Sequence, residues 1–140
     1  MFKITRLADY SVSVISSFSG DKNEMLSSQD IINKTKLQKA TVNKLLSKLV
    51  KKDFLLAFRG VNGGYKLKKD LANISIKELI EAIEGPVALT DCLDKNNNNC
   101  NLFDICNTKN TWSAVNTAIK ETLQGIKIKD IKNNAVNYKL

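Results

Sequence analysis

The sequence has no histidine, only one proline and only six glycines among its 140 residues. The missing imidazole excludes Ser-His-Asp and Cys-His catalysis, histidine-ligated metal sites and a histidine pH switch. No apolar run approaches the roughly 18 residues that a membrane span needs, and the N-terminus lacks the apolar stretch of a signal peptide. We therefore expect a cytoplasmic protein that is not an enzyme and has neither a membrane partner nor a small-molecule substrate.

Positive charge is abundant and unevenly distributed. The net charge is +8, from 22 Lys+Arg against 14 Asp+Glu, and the whole excess lies in residues 1–70. Seven lysines fall between Asp30 and Asp53 with no acid among them. Such a cluster suits neutralisation of nucleic-acid phosphates. A solvated lysine face that only keeps the protein soluble is an equal alternative on charge alone.

Three helical segments account for the first 52 residues. Apolar spacing predicts a first helix over residues 6–19, and Ser27 or Ser28 caps a short second helix. A third helix spans residues 38–52, with its apolar face opposite a polar, basic face. A short helix, a tight turn and a longer basic helix predict a helix-turn-helix. The DNA contacts expected from the third helix are Lys39, Thr41, Lys44 and Lys48.

A β-hairpin is predicted directly after the third helix. Two β-prone runs, residues 54–59 and 65–67, flank an Asn-Gly-Gly turn, which is a strong hairpin signal. A hairpin in this place is the wing of a winged helix. Arg59 and Lys66 flank it, and an arginine there can reach a narrow minor groove. We interpret both as DNA contacts, the alternative being ordinary exposed charges.

The second half of the chain contains two more helices around a polar loop. Ser75 and Glu78 form a capping box for a helix that ends at Gly85, and a long helix is predicted over residues 109–124. The apolar stripe of the long helix has near-heptad spacing, so it either pairs with a second copy or packs on its own domain; we favour pairing. The stripe comprises Trp112, Val115, Ile119, Leu123 and Ile126.

All three cysteines, Cys92, Cys100 and Cys106, lie in the polar loop. Clustered thiols in a reducing compartment suit a soft metal or an iron–sulfur cluster. Their wide spacing is weak evidence by itself, so incidental or redox-active thiols are the alternative. Three thiolates also leave a tetrahedral zinc ion or a four-ligand cluster one ligand short, and no histidine can supply it.

Together these features resemble the Rrf2 family of winged-helix transcriptional regulators, which includes iron–sulfur sensors. The resemblance covers residues 1–131 and rests on the R-G-x-x-G-G-Y segment at 59–65, the three-cysteine loop and the long last helix. The stretch 84–92, with Trp112 after the last cysteine, is most similar to the branch that regulates the SUF iron–sulfur assembly system.

The resemblance implies a mainly α fold with a small β wing, in which a winged helix-turn-helix is joined to a long C-terminal dimerisation helix. The expected regions are a DNA-binding region (1–72), a connecting helix (73–86), a cysteine loop that holds the cluster (87–108), and a dimerisation helix with a C-terminal tail (109–140).

The resemblance also implies a ligand set. Cys92, Cys100 and Cys106 match the family's three ligands of a [2Fe-2S] or [4Fe-4S] cluster. Lys109 stands where one branch of the family has a histidine ligand. Asp9 matches the aspartate that another branch contributes from the partner subunit, although a solvated carboxylate is an equal alternative.

Two functional hypotheses result. In the first, a homodimer binds a double-stranded DNA operator, its affinity depends on a bound iron–sulfur cluster, and its targets are iron–sulfur assembly genes. In the second, a thiol-redox or zinc-stabilised winged-helix regulator binds DNA without an iron–sulfur cluster.

Overall fold

The computed structural model describes residues 3–94 and 100–134 and confirms a mainly α fold with a small β wing. The elements are α1 (Arg6–Ser16), α2 (Ser28–Thr35), α3 (Lys39–Lys51), β1 (Leu55–Phe58), β2 (Gly64–Leu67), α4 (Ile76–Glu84), α5 (Lys109–Gly125) and α6 (Ile128–Lys132). A short 3₁₀ turn at Leu71–Asn73 precedes α4. A second 3₁₀ turn, at Asp91–Leu93, lies in the cysteine loop. Within the described ranges, no helix is both long and apolar enough to cross a membrane.

Helices α2 and α3 form the predicted helix-turn-helix. Ser27 and Asp30 make a capping box at the start of α2, because each side chain accepts a hydrogen bond from the other residue's backbone N–H. The helix ends at Lys36, whose left-handed backbone (φ 60°) turns the chain toward α3. The turn then positions α3 with one apolar face against the rest of the domain.

Helix α1 is shorter than the predicted range 6–19 and ends at Ser16. The physical reason lies just beyond the helix, where the backbone N–H and the hydroxyl of Ser19 both donate to the carboxylate of Glu24. These two hydrogen bonds hold the chain in a turn instead of a further helical turn.

The wing is an antiparallel hairpin in which Leu55 pairs with Leu67 and Phe58 pairs with Gly64. Its turn requires glycine at position 63, because a Cβ there would lie 2.3 Å from the carbonyl oxygen of Phe58. A backbone bridge between Leu26 and Tyr65 attaches β2 to the segment before α2. The wing is therefore fixed to the helix-turn-helix through its second strand.

One hydrophobic core joins α1, α2, α3, β1, α4 and α6. Its side chains are fully or nearly fully buried, which is the main favourable term in the folding of such a domain. The largest fully buried members are Phe18, Ile15, Ile31, Leu45, Leu46, Leu49, Leu55, Ile74, Leu79 and Ile128. Only Ile128 of these comes from the chain beyond α4. The core therefore belongs almost entirely to the part of the chain up to the end of α4, residues 3–84, which we call the winged half.

Helix α6 returns the end of the long helix to this core, a feature that the sequence did not predict. The N–H of Ile76 donates to the carbonyl of Ile126 (3.0 Å), and the N–H of Ile128 donates to the carbonyl of Ile74 (2.9 Å). Ile128 is fully buried, and the ammonium of Lys132 donates to the carbonyl of Phe18. Ile126, which we placed in the helical stripe, has an extended backbone after α5.

Candidate DNA-binding face and cysteine loop

The exposed side of α3 carries part of the basic cluster. Val42, Leu45, Leu46 and Leu49 are buried on the opposite side, which orients the helix. Lys39 and Lys44 are exposed, and Thr41 is half-buried. Among the described residues, no ion pair involves Lys39 or Lys44, so both ammonium groups are available to an external anion.

A polar cleft of about 360 Å³ opens beside the start of α3. Its lining residues are Arg6, Tyr10, Lys36, Leu37, Gln38 and Thr41. The cleft brings the side chains of Arg6 and Lys36 next to Thr41. No carboxylate is among its lining residues. The sequence analysis named neither Arg6 nor Lys36 as a DNA contact. Lys36 belongs to the basic cluster between Asp30 and Asp53, but no local pattern places Arg6 beside α3.

The two charged residues of the wing, Arg59 and Lys66, differ in exposure, unlike Lys39 and Lys44 of α3. Arg59 is exposed at the end of β1, and Val61 at the tip is fully exposed. Lys66 is half-buried, and its ammonium lies 5.7 Å from the centre of the Phe58 ring. A cation over an aromatic face is attracted by the ring quadrupole, so Lys66 is partly held along the hairpin.

Lys48 does not share the open environment of Lys44. Its side chain is half-buried, and its ammonium donates a hydrogen bond to the backbone carbonyl of Ile83, in the last turn of α4, at 3.1 Å. The DNA contact that we expected from Lys48 stays a prediction at this point, but the structure gives this cation a partner inside the protein.

The start of the cysteine loop is attached to α5 by one side chain. Asn116 is 5% exposed; its Oδ1 accepts from the N–H of Leu89 (3.1 Å), and its Nδ2 donates to the carbonyl of Val87 (3.3 Å). A buried amide that satisfies two backbone groups is costly to remove. The sequence analysis missed Asn116, because an asparagine inside a polar helix gives no local signal of burial.

The three thiols are free and half-buried, and two of them contact threonine hydroxyls. Cys92 Sγ lies 3.2 Å from Thr90 Oγ1, and Cys106 Sγ lies 3.4 Å from Thr108 Oγ1. Hydrogen bonds from Thr108, with the N–H and charge of Lys109, lower the pKa of the Cys106 thiol below its ordinary value. This environment favours the thiolate, the form that binds metals.

The donor set fits a thiophilic metal or an iron–sulfur cluster in its chemistry. In the described ranges, however, no three histidine, cysteine, aspartate or glutamate side chains are grouped closely enough to hold a metal ion. Lys109, at the position of the family's histidine, places its ammonium 3.2 Å from the centre of the Phe103 ring. Asp9 is exposed on α1.

Asp9 lines an apolar groove of about 570 Å³ between α1, α4 and the end of α5. Leu123 and Ile126 of the predicted stripe also line this groove, whereas Trp112 (44% exposed) and Val115 (40% exposed) lie on the outer part of α5. The stripe is thus divided between a groove on its own domain and an open helix face.

A winged helix-turn-helix with a basic face, joined to a loop that carries free thiols, defines a DNA-binding transcriptional regulator as the class of protein. The profile of the Rrf2 family, described as an iron-dependent transcriptional regulator, matches residues 4–134. The chain therefore belongs to the Rrf2 family, as the sequence analysis predicted.

Similar proteins agree with this assignment. The HTH-type transcriptional regulator NsrR of Bacillus licheniformis is 29% identical over 133 residues, which cover 94% of this chain and 93% of that protein. The HTH-type transcriptional regulator IscR of Escherichia coli O1:K1 / APEC is 30% identical over 105 residues, which cover 75% of this chain and 64% of that protein. These relatives are regulators, which confirms the expectation that the chain is not an enzyme.

Solved structures share the fold. CymR (YrzC), the global cysteine regulator of B. subtilis, superposes with a TM-score of 0.74 at 21% identity and covers 96% of this chain and 98% of its own. T. potens IscR superposes with a TM-score of 0.70 at 22% identity and covers 99% of this chain and 92% of its own. The winged-helix architecture is therefore shared across regulators with different names.

Proposed function

We propose that this Rrf2-family protein is a homodimeric regulator whose affinity for a double-stranded DNA operator depends on an iron–sulfur cluster held by Cys92, Cys100 and Cys106. One observation carries the proposal: all three free thiols lie on the segment that joins α4 of the winged domain to α5. A change in this segment therefore acts on both the DNA-binding region and the long helix. The family's description as iron-dependent supports an iron-linked signal.

DNA binding in this proposal uses the exposed side of α3 and the wing. Lys39, Thr41 and Lys44 lie in or near the major groove, because the buried side of α3 faces the core and its opposite side is open. Arg59 and Lys66 reach the adjacent minor groove from the hairpin. The net charge of +8 in residues 1–70 supports phosphate neutralisation on this half of the chain.

The homodimer in this proposal forms through α5. Trp112 and Val115 are exposed on the outer part of α5, and we propose that this open face meets the same face of a second copy. Asp9 lies on the apolar groove, where the loop of a partner subunit can approach it. We propose Asp9 as the fourth cluster ligand, donated to the partner's cluster.

The cluster, when bound, supplies a centre that responds to iron supply and oxidants. The chain's own residues supply the thiolates, and Thr108 and Lys109 favour the thiolate of Cys106. Asn116 holds the start of the loop on α5. Because the described residues do not group the three thiols closely enough to hold a metal, Cys92, Cys100 and Cys106 would have to approach one another to hold the cluster. We propose iron–sulfur assembly genes, such as those of the SUF system, as the targets.

The test is to purify the full chain anaerobically and measure iron, sulfide and visible absorbance for the unaltered protein, Cys106→Ser and Asn101→Ser. Asn101 is an exposed polar residue on the same loop and serves as the matched control. We expect iron and sulfide in the unaltered protein and the control, and their loss in Cys106→Ser. An anaerobically prepared protein without iron would remove the cluster from the proposal and leave DNA binding.

A second candidate is a thiol-redox or zinc-stabilised regulator without iron. The contacts of Cys106 with Thr108 and Lys109 favour it, because an activated thiol also reacts with oxidants. The fold is also similar to that of Staphylococcus aureus CymR, with a TM-score of 0.66 for a structure described as its oxidized form. In the same experiment, this candidate predicts zinc or an oxidised thiol, and no iron, in the unaltered protein.

A further inference from the structure

We infer that Lys48 is a positioning residue that links the recognition helix α3 to the base of the cysteine loop, and that it is not a contact to DNA phosphates. The inference rests on the proposed function. Its starting point is the hydrogen bond from Lys48 Nζ to the carbonyl oxygen of Ile83 (3.1 Å), which joins residues 35 positions apart. Lys44, one turn earlier on the same helix, is exposed and has no ion pair among the described residues.

The bond attaches α3 to the last turn of α4 at the carbonyl of Ile83. A lysine that donates to such a carbonyl also interacts favourably with the negative end of the helix dipole. The same end of α4 is attached to α1, because the hydroxyl of Thr5 donates to the carboxylate of Glu84 at 2.7 Å. The end of α4 is therefore the point where α1, α3 and α4 meet.

The cysteine loop begins at this point. Helix α4 ends at Gly85, whose φ of 94° is a conformation that glycine adopts without strain, and the chain then turns into the loop. The N–H of Val87 donates to the carboxylate of Glu81 at 3.3 Å, so the first loop residues are held back against α4.

From this point the contacts continue to the thiols. Asn116 holds the backbone of Val87 and Leu89 against α5, and Cys92 follows three residues later. Separate hydrogen bonds at Ile83, Glu81 and Asn116, joined by the backbone between them, thus link the ammonium of Lys48 on α3 to the segment that carries Cys92. A movement of the loop that displaces Ile83 changes the hydrogen bond of Lys48, and with it the position of α3.

The inference predicts a specific difference between two lysines on one helix. A lysine that neutralises a phosphate releases a counterion, so its loss lowers the salt dependence of binding by about one ion. A lysine bonded within the protein does not change the salt dependence when it is replaced. Lys48→Met and Lys44→Met remove one charge each from α3 and keep much of the stem, so each is a control for the other.

The experiment measures the affinity of the full-length protein for the operator across a salt series, in metal-free and cluster-loaded forms. We expect Lys44→Met to lower the slope of log K against log salt by about one for each subunit, or about two for the homodimer on its operator. We expect Lys48→Met to keep the slope of the unaltered protein, while the ratio of cluster-loaded to metal-free affinity falls toward one. Lys48→Arg, which keeps a donor and a charge, restores that ratio.

Hydrogen exchange gives a readout that needs no DNA and no cluster. Loss of the Lys48 bond is expected to speed amide exchange over residues 83–89 in Lys48→Met, whereas Lys44→Met leaves it unchanged. Should Lys48→Met not fold, Lys48→Ala, which also lacks a donor, takes its place in every measurement and is expected to keep the full slope.

Each outcome has a clear meaning. A slope that falls by about one per subunit in Lys48→Met, as in Lys44→Met, overturns the inference and assigns Lys48 to the DNA face. An unchanged slope with an unchanged ratio overturns the linking role. If the unaltered protein shows no effect of the cluster on affinity, the proposed function fails, and the linking role, which rests on it, fails with it.

Discussion

The winged half of the molecule and the cysteine loop are ordered by different forces. Among the described residues, every buried hydrophobic side chain except Ile128 lies before Gly85. In the described part of the loop, order comes instead from a few polar contacts, chiefly those of Asn116 and the threonine hydroxyls next to Cys92 and Cys106. The first region folds by burial of apolar surface, while the second has little surface to bury.

The same division appears in charge. The net positive charge lies in residues 1–70, whereas residues 71–140 carry no net charge. A basic half with a hydrophobic core, joined to a loop whose described residues are held by a few polar contacts, suits a regulator in which a bound group sets the conformation of the loop.

The largest expected effect contrasts two truncations of apolar side chains. Leu46→Ala, in the fully buried face of α3, is expected to lower the free energy of unfolding by about 2–5 kcal/mol, because it leaves a cavity. Ile105→Ala, at a loop residue that is 74% exposed, is expected to change it by less than about 0.5 kcal/mol. Urea unfolding of both variants gives the comparison, and equal losses would contradict the division between the two regions.

A smaller effect separates DNA contact from folding. Arg59→Ala is expected to weaken operator binding by about 1–3 kcal/mol without affecting stability, because Arg59 is exposed at the end of β1. Lys129→Ala removes an exposed charge from α6 and is the matched control, with no change expected. Fluorescence anisotropy at physiological salt measures both. Unchanged affinity in Arg59→Ala would show that the wing does not read the operator.

The next prediction concerns how the loop is attached. Asn116→Leu leaves the N–H of Leu89 and the carbonyl of Val87 without their side-chain partner, at a cost of about 1–3 kcal/mol. We expect faster amide exchange at residues 87–94, while residues 42–49 of α3 exchange as before. Asn116→Asp keeps the acceptor for Leu89 and is expected to have an intermediate effect. Unchanged exchange at 87–94 would mean that other contacts hold this segment.

The smallest expected effect depends on pH. Burial raises the pKa of Glu78, but hydrogen bonds from Ser75 and the charge of Lys69 outweigh it, so the pKa lies below its ordinary value. Because the folded state favours the ionised form, Glu78 stabilises the protein above its ordinary pKa, and this contribution disappears as the pH falls through the lowered pKa. Glu78→Gln is expected to lower stability by about 0.5 kcal/mol at pH 7, because glutamine keeps the acceptor for the Ser75 N–H and only the charge is lost.

Thermal unfolding of the unaltered protein and Glu78→Gln across pH 2–7 measures this effect. The difference between the two melting temperatures should be largest at neutral pH and vanish at the acidic end. A difference that grows as the pH falls would contradict the sign of the shift.

Local signals explain which parts of the fold were predictable. The alternation of faces on α3, the Asn-Gly-Gly turn of the wing and the capping box of α4 are all encoded within a few residues, and the structure confirms each. The site was less predictable because its contacts join distant residues. Three features depend on tertiary packing and are not predicted by any local pattern. They are the bond from Lys48 to Ile83, the burial of Asn116 and the return of α6 to the core.

The stripe on α5 shows the same limit. Its near-heptad spacing favoured pairing with a second copy over packing on its own domain, but Leu123 and Ile126 line a groove with α1 and α4, while Trp112 and Val115 are exposed. Which residues of an amphipathic helix meet its own domain depends on where the chain goes next, and here it turns back through α6. The role of this helix in dimerisation stays a prediction.

Anaerobic native mass spectrometry of the full chain tests the central claim most directly, because it reports the oligomeric state and the bound group in one spectrum. The account predicts a dimer with the added mass of an iron–sulfur cluster on each chain. It also predicts that this added mass is absent in Cys106→Ser and present in Asn101→Ser. A protein that carries zinc or no metal after anaerobic preparation, or that stays monomeric with its cluster bound, would contradict it.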